Sequence, residues 1–256
     1  CAPPDSPPTD PLAPEPGQTA FKGIELYSWQ DENDDWLYAI LVGTNSDKTW
    51  AGVQARALDL SAVKEVIKLG YADADNVGLQ GHSWGGYESS FIVTQTDMFK
   101  TVVTGAPLTN LISMNNILYK RSGNMNGPIL EWSQGRMGVS PWENMELWRS
   151  QSPIHHAQKI STPFLILHGT ADGAVDWNQG LEFYTSAKRL GKEVILLSYP
   201  GEPHHLAKKE NQKDFQIRMK QYFDHYLKGT EAPLWLKKGV KHLDKKRVGP
   251  EVMEKK

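Results

Sequence analysis

Gly81-His82-Ser83-Trp84-Gly85-Gly86 has the spacing G-x-S-x-G, in which a strand ends, a serine takes a strained backbone conformation and a helix starts at once. Gly81 and Gly85 are expected to remove the Cβ atoms that would clash in so sharp a turn. The residues before it, 76–80, read as a short buried strand, and Tyr87 to Thr96 can form the helix. That setting would expose the Ser83 hydroxyl at the carboxyl edge of a sheet. The helix N-terminus would add positive potential where an oxyanion forms.

A serine hydroxyl is a weak nucleophile near neutral pH. It needs a base, usually histidine, and the base needs a carboxylate to fix its tautomer and stabilise its charge. Two later stretches offer these groups in the order Ser, acid, His. The apolar run Thr162 to His168 reads as a buried strand and is followed by Gly169-Thr170-Ala171-Asp172-Gly173-Ala174-Val175-Asp176. Asp172 occupies the loop where an orienting acid belongs, although Asp beside Gly also serves simply to form turns. Asp176 is its rival, nearer the next helix. The strand candidate Glu193 to Tyr199 leads into Pro200-Gly201-Glu202-Pro203-His204-His205, which offers His204 or His205 as the base.

The remaining elements form a scaffold for three such loops. Phe21 to Trp29 and Trp36 to Gly43 suit two strands joined by an acidic turn at 31–35. Val53, Ala57, Leu60, Val63 and Ile67 recur at helical spacing, and Lys100 to Ala106 reads as a strand. Asn178 to Leu190 and Gln212 to Leu227 read as helices, the second with Phe215, Met219, Tyr222, Phe223 and Tyr226 on one side. Strands alternating with helices imply an α/β fold: a mostly parallel sheet with helices on both faces and ligands beyond the carboxyl ends of its strands. Thr109 to Ile160 breaks the alternation and is too long for a simple loop. It is expected to form short helices over the sheet edge and to shape a pocket, with Trp84, Tyr119 and Trp132 as candidate lining residues.

Composition narrows the setting. The chain has 256 residues and a net charge of −2, enough for one large domain and without the basic surplus of a nucleic-acid binder. No apolar run reaches the ~20 residues of a membrane span. Seven of the first seventeen residues are proline, so residues 1–20 read as a semi-rigid tether before a domain at 21–236. Residues 237–256 carry eight Lys or Arg against three Asp or Glu and read as a basic, flexible tail. The single cysteine is Cys1, which excludes an internal disulfide. A cysteine followed by a Pro-rich tether looks like a mature bacterial lipoprotein. That implies lipidation of Cys1 and export to the periplasm or cell envelope. His155-His156 precede no carboxylate cluster, so no metal site is expected, and no cofactor motif is present.

Gly81 to Tyr87, His168 to Val175 and Gly201 to His205 together resemble the catalytic domain of the prolyl oligopeptidase family of serine peptidases, an α/β-hydrolase fold. The resemblance runs from about Ala57 to Trp235 and takes in Tyr71-Ala72-Asp73 and the segment Tyr222 to Gly229. It implies Ser83 as nucleophile, Asp172 as acid, His204 as base and the Trp84 backbone N–H as one oxyanion donor. Pro203 stands where the family often has the last Gly of Gly-Glu-Gly. Relatives carry a β-propeller ahead of this domain, and no stretch here is long enough for one. A full sheet of this fold has about four strands before the helix that precedes the elbow. Phe21 to Gly43 offers about two, so the sheet is expected to lack its usual N-terminal strands and the second oxyanion donor is unassigned. The implied activity is a peptidase working through an acyl-enzyme. The alternatives are an esterase on small acyl esters and a non-catalytic binding module.

Overall fold

The computed structural model describes the backbone of residues 24–30, 36–42, 60 and 63–239, and side chains for residues 60 and 63–239. The turn expected at 31–35, the tether with Cys1, most of the helix expected from Val53 and the tail beyond 239 lie outside the described residues. The chain divides into two units, Cys1–Trp50 and Ala51–Lys256.

In the first unit, β1 (Ile24–Gln30) and β2 (Trp36–Val42) pair antiparallel in the register Ile24↔Val42 to Gln30↔Trp36. This is the hairpin that the aromatic and aliphatic run predicts.

The second unit opens with helix α1 at 63–68. Among the described residues, four strands then form a parallel sheet in the order β3-β4-β7-β8: β3 (Gly78–His82), β4 (Thr101–Gly105), β7 (Phe164–Gly169) and β8 (Val194–Tyr199). Connecting helices are α2 (Trp84–Ile92) after β3, α6 (Trp177–Arg189) after β7 and α7 (Lys209–Lys228) after β8. Between β4 and β7 lie α3 (Leu111–Asn115), the two-stranded hairpin β5 (Leu118–Tyr119) and β6 (Asn124–Met125), α4 (Gly127–Glu131) and α5 (Met145–Ser150). Helix α8 (Leu234–Lys238) follows α7. No described helix is long and apolar enough to cross a membrane.

The sheet is covered on both faces because its buried residues alternate with period two. Val102, Phe164, Ile166 and Val194 pack with Ile92 of α2 and Phe183 and Ala187 of α6. Val103, Leu165 and Leu167 point the other way, onto Phe215 and Tyr222 of α7 and Trp235 of α8. Each fully buried Val, Leu, Ile or Phe contributes about 1.5–3 kcal/mol relative to exposure. These two layers therefore hold the strand ends that carry the loops. The apolar face predicted for the last long helix is the one α7 uses: Met219, Phe223 and Tyr226 join Phe215 and Tyr222 there.

Two boundaries differ from the expectation. β3 continues through His82, because its ladder with β4 runs to His82↔Gly105, and α2 begins at Trp84. Strand and helix are therefore separated by Ser83 alone, which takes φ 61° and ψ −117°. Gly81 is required as predicted, since a Cβ there would overlap the Gly85 carbonyl. Gly85 is not: a Cβ on it meets nothing within 4 Å, whereas one on Gly86 would strike the Gly105 carbonyl of β4. The glycine constraint at the helix start comes from the neighbouring strand, not from the turn.

Gly86→Ala is expected to destabilise the protein by about 2–3 kcal/mol through overpacking. Gly85→Ala is expected to be neutral, or stabilising by up to about 1 kcal/mol, through helix propensity. Urea unfolding of the two variants beside the parent checks this, and equal midpoints for the two variants would contradict it.

Candidate active site

Ser83 is held from both sides: its N–H donates to the Gly105 carbonyl at 2.9 Å and its carbonyl accepts the Tyr87 N–H at 2.9 Å. Positive φ costs a non-glycine residue about 1–3 kcal/mol, and this one persists because β4 and α2 fix both of its peptide bonds. The result directs Ser83 Oγ to His204, whose Nε2 lies 2.8 Å away. His204 Nδ1 lies 2.8 Å from Asp172 Oδ2. An ionised Asp172 can only accept, so Nδ1 carries the hydrogen and Nε2 presents a lone pair to the serine hydroxyl.

The acid is fixed more firmly than its loop position foretold. Asp172 is 1% exposed, and its Oδ1 accepts the N–H groups of Ala174 (2.8 Å) and Val175 (2.9 Å). His168, fully buried at the end of β7, places Nε2 3.3 Å from Asp172 Oδ2 and 3.1 Å from the Val175 carbonyl, so an Nε2–H faces both acceptors. Burial pushes the Asp172 pKa up, but hydrogen bonds from His168, His204 and the Ala174 N–H outweigh it and hold the carboxyl well below the usual carboxylate range. Its turn-forming role and its role towards His204 are thus the two oxygens of one carboxylate. Asp176, the rival acid, is taken up elsewhere: it caps α6 by accepting the Asn178 N–H at 2.9 Å and pairs with Lys120 Nζ at 2.5 Å.

The base loop is tied to the acid loop. Gly169 lies so close to it that a Cβ would overlap the Glu202 carbonyl. The Ala171 N–H donates to the same carbonyl at 3.0 Å, and the Gly201 N–H donates to Thr170 Oγ1 at 2.8 Å. Glu202, wholly buried, then anchors the loop to α7: Oε2 accepts the Ala207 N–H at 2.5 Å and Oε1 accepts the Asn211 amide at 2.6 Å. Burial raises the Glu202 pKa, but these donors outweigh it and keep the pKa below its ordinary value. The sequence alone assigns Glu202 no role. Its signal was a carboxylate just ahead of the base in a loop otherwise made of Gly, Pro and His. His205 is exposed and its ring packs against His82 and His204 instead of reaching Asp172.

A cavity of about 350 Å³ opens beside Ser83 and His204. Trp84 and Tyr119 line it as predicted, with Leu108, Met114, Ile129, Leu130 and Val175. Trp84 is turned into position by donating Nε1–H to Gln134 Oε1 at 2.5 Å. Trp132 is a correction: it is 66% exposed and is not part of the wall. Helical phase explains this, because α4 directs Leu130 inward and leaves the residue two positions later at its C-cap facing solvent. Asn126, missed from sequence, lines the same cavity at 2% exposure with neither amide atom paired to protein. Trp84 is the first residue of α2, where helix N–H groups lack intrahelical partners and can serve an oxyanion. The second oxyanion donor, unassigned from the sequence, is not assigned among the described residues either.

His82 sits behind the base. Burial above all, and then the nearby His204 and His205, lower its pKa to about 4. His156 Nε2 lies 2.9 Å from the Ser150 carbonyl.

A serine after β3, a carboxylate after β7 and a histidine after β8, all at the carboxyl ends of one parallel sheet, define the α/β-hydrolase class. The sequence profile of the Prolyl oligopeptidase family matches residues 58–230, and the chain belongs to that family. It is 30% identical over 150 residues to the uncharacterized peptidase YuxL of Bacillus subtilis, covering 58% of this chain and 22% of that one. It is 30% identical over 162 residues to the acylamino-acid-releasing enzyme of Mus musculus, covering 60% and 21%. Among solved structures, the Pyrococcus horikoshii acylaminoacyl peptidase superposes with a TM-score of 0.59 at 25% identity, over 73% of this chain and 30% of that one. An acylaminoacyl peptidase in complex with Z-Gly-Gly-Phe-chloromethyl ketone gives 0.58 at 28% identity, over 71% and 29%. The chain thus spans less than a third of the length of these relatives.

Glu202→Ala would strand the Ala207 N–H and the Asn211 amide in a buried site. It is expected to lower unfolding free energy by about 2 kcal/mol or more. Urea unfolding measures this, and a change under about 0.5 kcal/mol, the scale of an ordinary surface substitution, would remove Glu202 from the account.

Proposed function

We propose that this protein is a serine peptidase that cleaves acyl bonds of short peptides through an acyl-enzyme. The observation that carries this reading is the unbroken chain Asp172–His204–Ser83, with both links at 2.8 Å. His204 Nε2 takes the Ser83 proton as Oγ attacks the carbonyl carbon, and the C=O electron pair moves onto oxygen. The Trp84 N–H donates to that oxyanion. Collapse of the tetrahedral species breaks the acyl bond, and His204 returns the proton to the leaving amine. Water then repeats the sequence and releases Ser83. Asp172 remains ionised throughout and stabilises the imidazolium.

The cavity supports an apolar side chain next to the scissile bond. Leu108, Met114, Ile129, Leu130 and Val175 line it beside the neutral polar Asn126, Ser133 and Gln134, and no Asp, Glu, Lys or Arg is among its lining residues to pair with a charged group. A relative solved with a Phe-chloromethyl ketone is consistent with this preference. The same machinery accepts activated esters, which makes them convenient reporters but does not favour an esterase role.

A fluorophosphonate probe is expected to label the protein stoichiometrically at Ser83, with labelling lost in Ser83→Ala. His204→Ala is expected to reduce kcat for an acyl-peptide anilide by about 10³-fold or more. Absence of labelling would refute the enzyme reading; labelling that survives Ser83→Ala would refute the nucleophile assignment. Among peptide substrates, Phe or Leu before the cleaved bond is expected to exceed Asp or Lys in kcat/KM by at least about tenfold, the scale of 1–3 kcal/mol of pocket discrimination.

A further inference from the structure

The rings of His82, His204 and His205 form a triangle with centroid separations of 5.0, 4.9 and 4.9 Å. One ring nitrogen from each lies within 4.8 Å of the other two. Three imidazoles on one tetrahedral cation, with metal–nitrogen bonds of about 2.0–2.1 Å, also place their ring centres about 5 Å apart. The ring spacing is therefore already that of three imidazoles on one ion, and binding has to draw together nitrogens that now lie within 4.8 Å of one another.

Each histidine brings a separate qualification. His204 Nδ1 is engaged by Asp172, so Nε2, now 2.8 Å from Ser83 Oγ, is the nitrogen that a ligand would take. A carboxylate on the far nitrogen is the outer-shell arrangement that orients ligating histidines and raises their basicity. His82 Nε2 is buried without a hydrogen-bond partner, which costs free energy that a ligand at that atom would recover. His205 is exposed and gives an ion its route from solvent. The donors come from two anchored pieces of backbone: His82 ends β3, and the other two follow the Glu202 anchor.

We propose that His82, His204 and His205 bind a divalent cation of the Zn²⁺ class, and that the bound ion inhibits the enzyme reversibly by occupying the His204 Nε2 lone pair. Coordination exchanges water ligands of the ion for three imidazoles and breaks the Ser83–His204 hydrogen bond; no electron is transferred. Ser83 then has no base. Three nitrogen donors suit Zn²⁺, Co²⁺ or Cu²⁺ and not the oxygen-seeking Mg²⁺ or Ca²⁺. The inhibitory half rests on the peptidase reading above; the binding half does not.

The test uses the full chain and two readouts. Calorimetry with Zn²⁺, and visible absorption with Co²⁺, report binding without reference to activity. Fluorophosphonate labelling with and without Zn²⁺ reports the state of Ser83. The expected result is one ion per chain, the visible bands of four-coordinate Co²⁺, labelling slowed by Zn²⁺, recovery on chelation and no effect of Mg²⁺. His82→Asn and His205→Ala are each expected to weaken the ion by about tenfold or more, a scale that even outer-shell changes reach. They should raise the inhibitory Zn²⁺ concentration by the same factor. His205 is exposed, so that variant decides the matter if His82→Asn does not fold. Failure of the parent to bind Zn²⁺ or Co²⁺, or unchanged affinity in His205→Ala, overturns the site. Binding that leaves labelling undiminished overturns the inhibition. Should the metal-free protein fail to label at all, the peptidase reading falls, and the Co²⁺ spectrum still decides the metal site.

Discussion

Ser83 stands at φ 61° because the backbone of strand and helix can touch there, and the rest of the site depends on that contact. A Cβ on Gly81 would overlap the Gly85 carbonyl, and one on Gly86 would overlap the Gly105 carbonyl at the end of β4. With side chains at Gly81 or Gly86, α2 would have to lift away from the sheet. The Ser83 N–H would lose Gly105, and the hydroxyl would move off the line to His204. Strain of about 1–3 kcal/mol at one residue is held by the buried layers on both sides of the sheet.

The acid and base are placed by a different device. Their loops leave adjacent strands, β7 and β8, and are laced together by backbone hydrogen bonds before either side chain is considered. Asp172 is then surrounded by donors, and Glu202 ties the base loop to α7. A buried carboxylate with its lone pairs occupied is rigid as well as ionised. It can hold an imidazole in one tautomer without competing for its proton. The three loops therefore converge through sheet geometry.

Much of this is legible in the chain because each part has a local signal. Two glycines around a serine, an Asp after a buried apolar run and a His-His pair after the next run mark three strand ends in order. The hairpin β1–β2 and the apolar face of α7 follow from their periodicity. What escaped detection depends on contacts between segments far apart in sequence. Gly86 owes its need for glycine to β4, His168 its role to the acid it faces, and Glu202 its role to Asn211. Asn126 and Trp132 lie in the insertion, where short helices set the direction of each side chain and no period long enough to read survives. His82 lies in the Ser83 motif and His205 is the alternative base, far apart in sequence, and only the folded loops bring their rings together.

The central claim is that Asp172, acting through His204, makes Ser83 the nucleophile. Its most direct test is the rate of Ser83 acylation by a chromogenic ester, followed as a pre-steady-state burst and mapped by peptide mass spectrometry, in the parent and in Asp172→Asn. The account predicts a burst of one equivalent on the Ser83 peptide, slowed by about 10⁴-fold in the variant, because the amide favours the wrong imidazole tautomer while preserving shape. An unchanged acylation rate in Asp172→Asn, or an acyl group found on another residue, would contradict it.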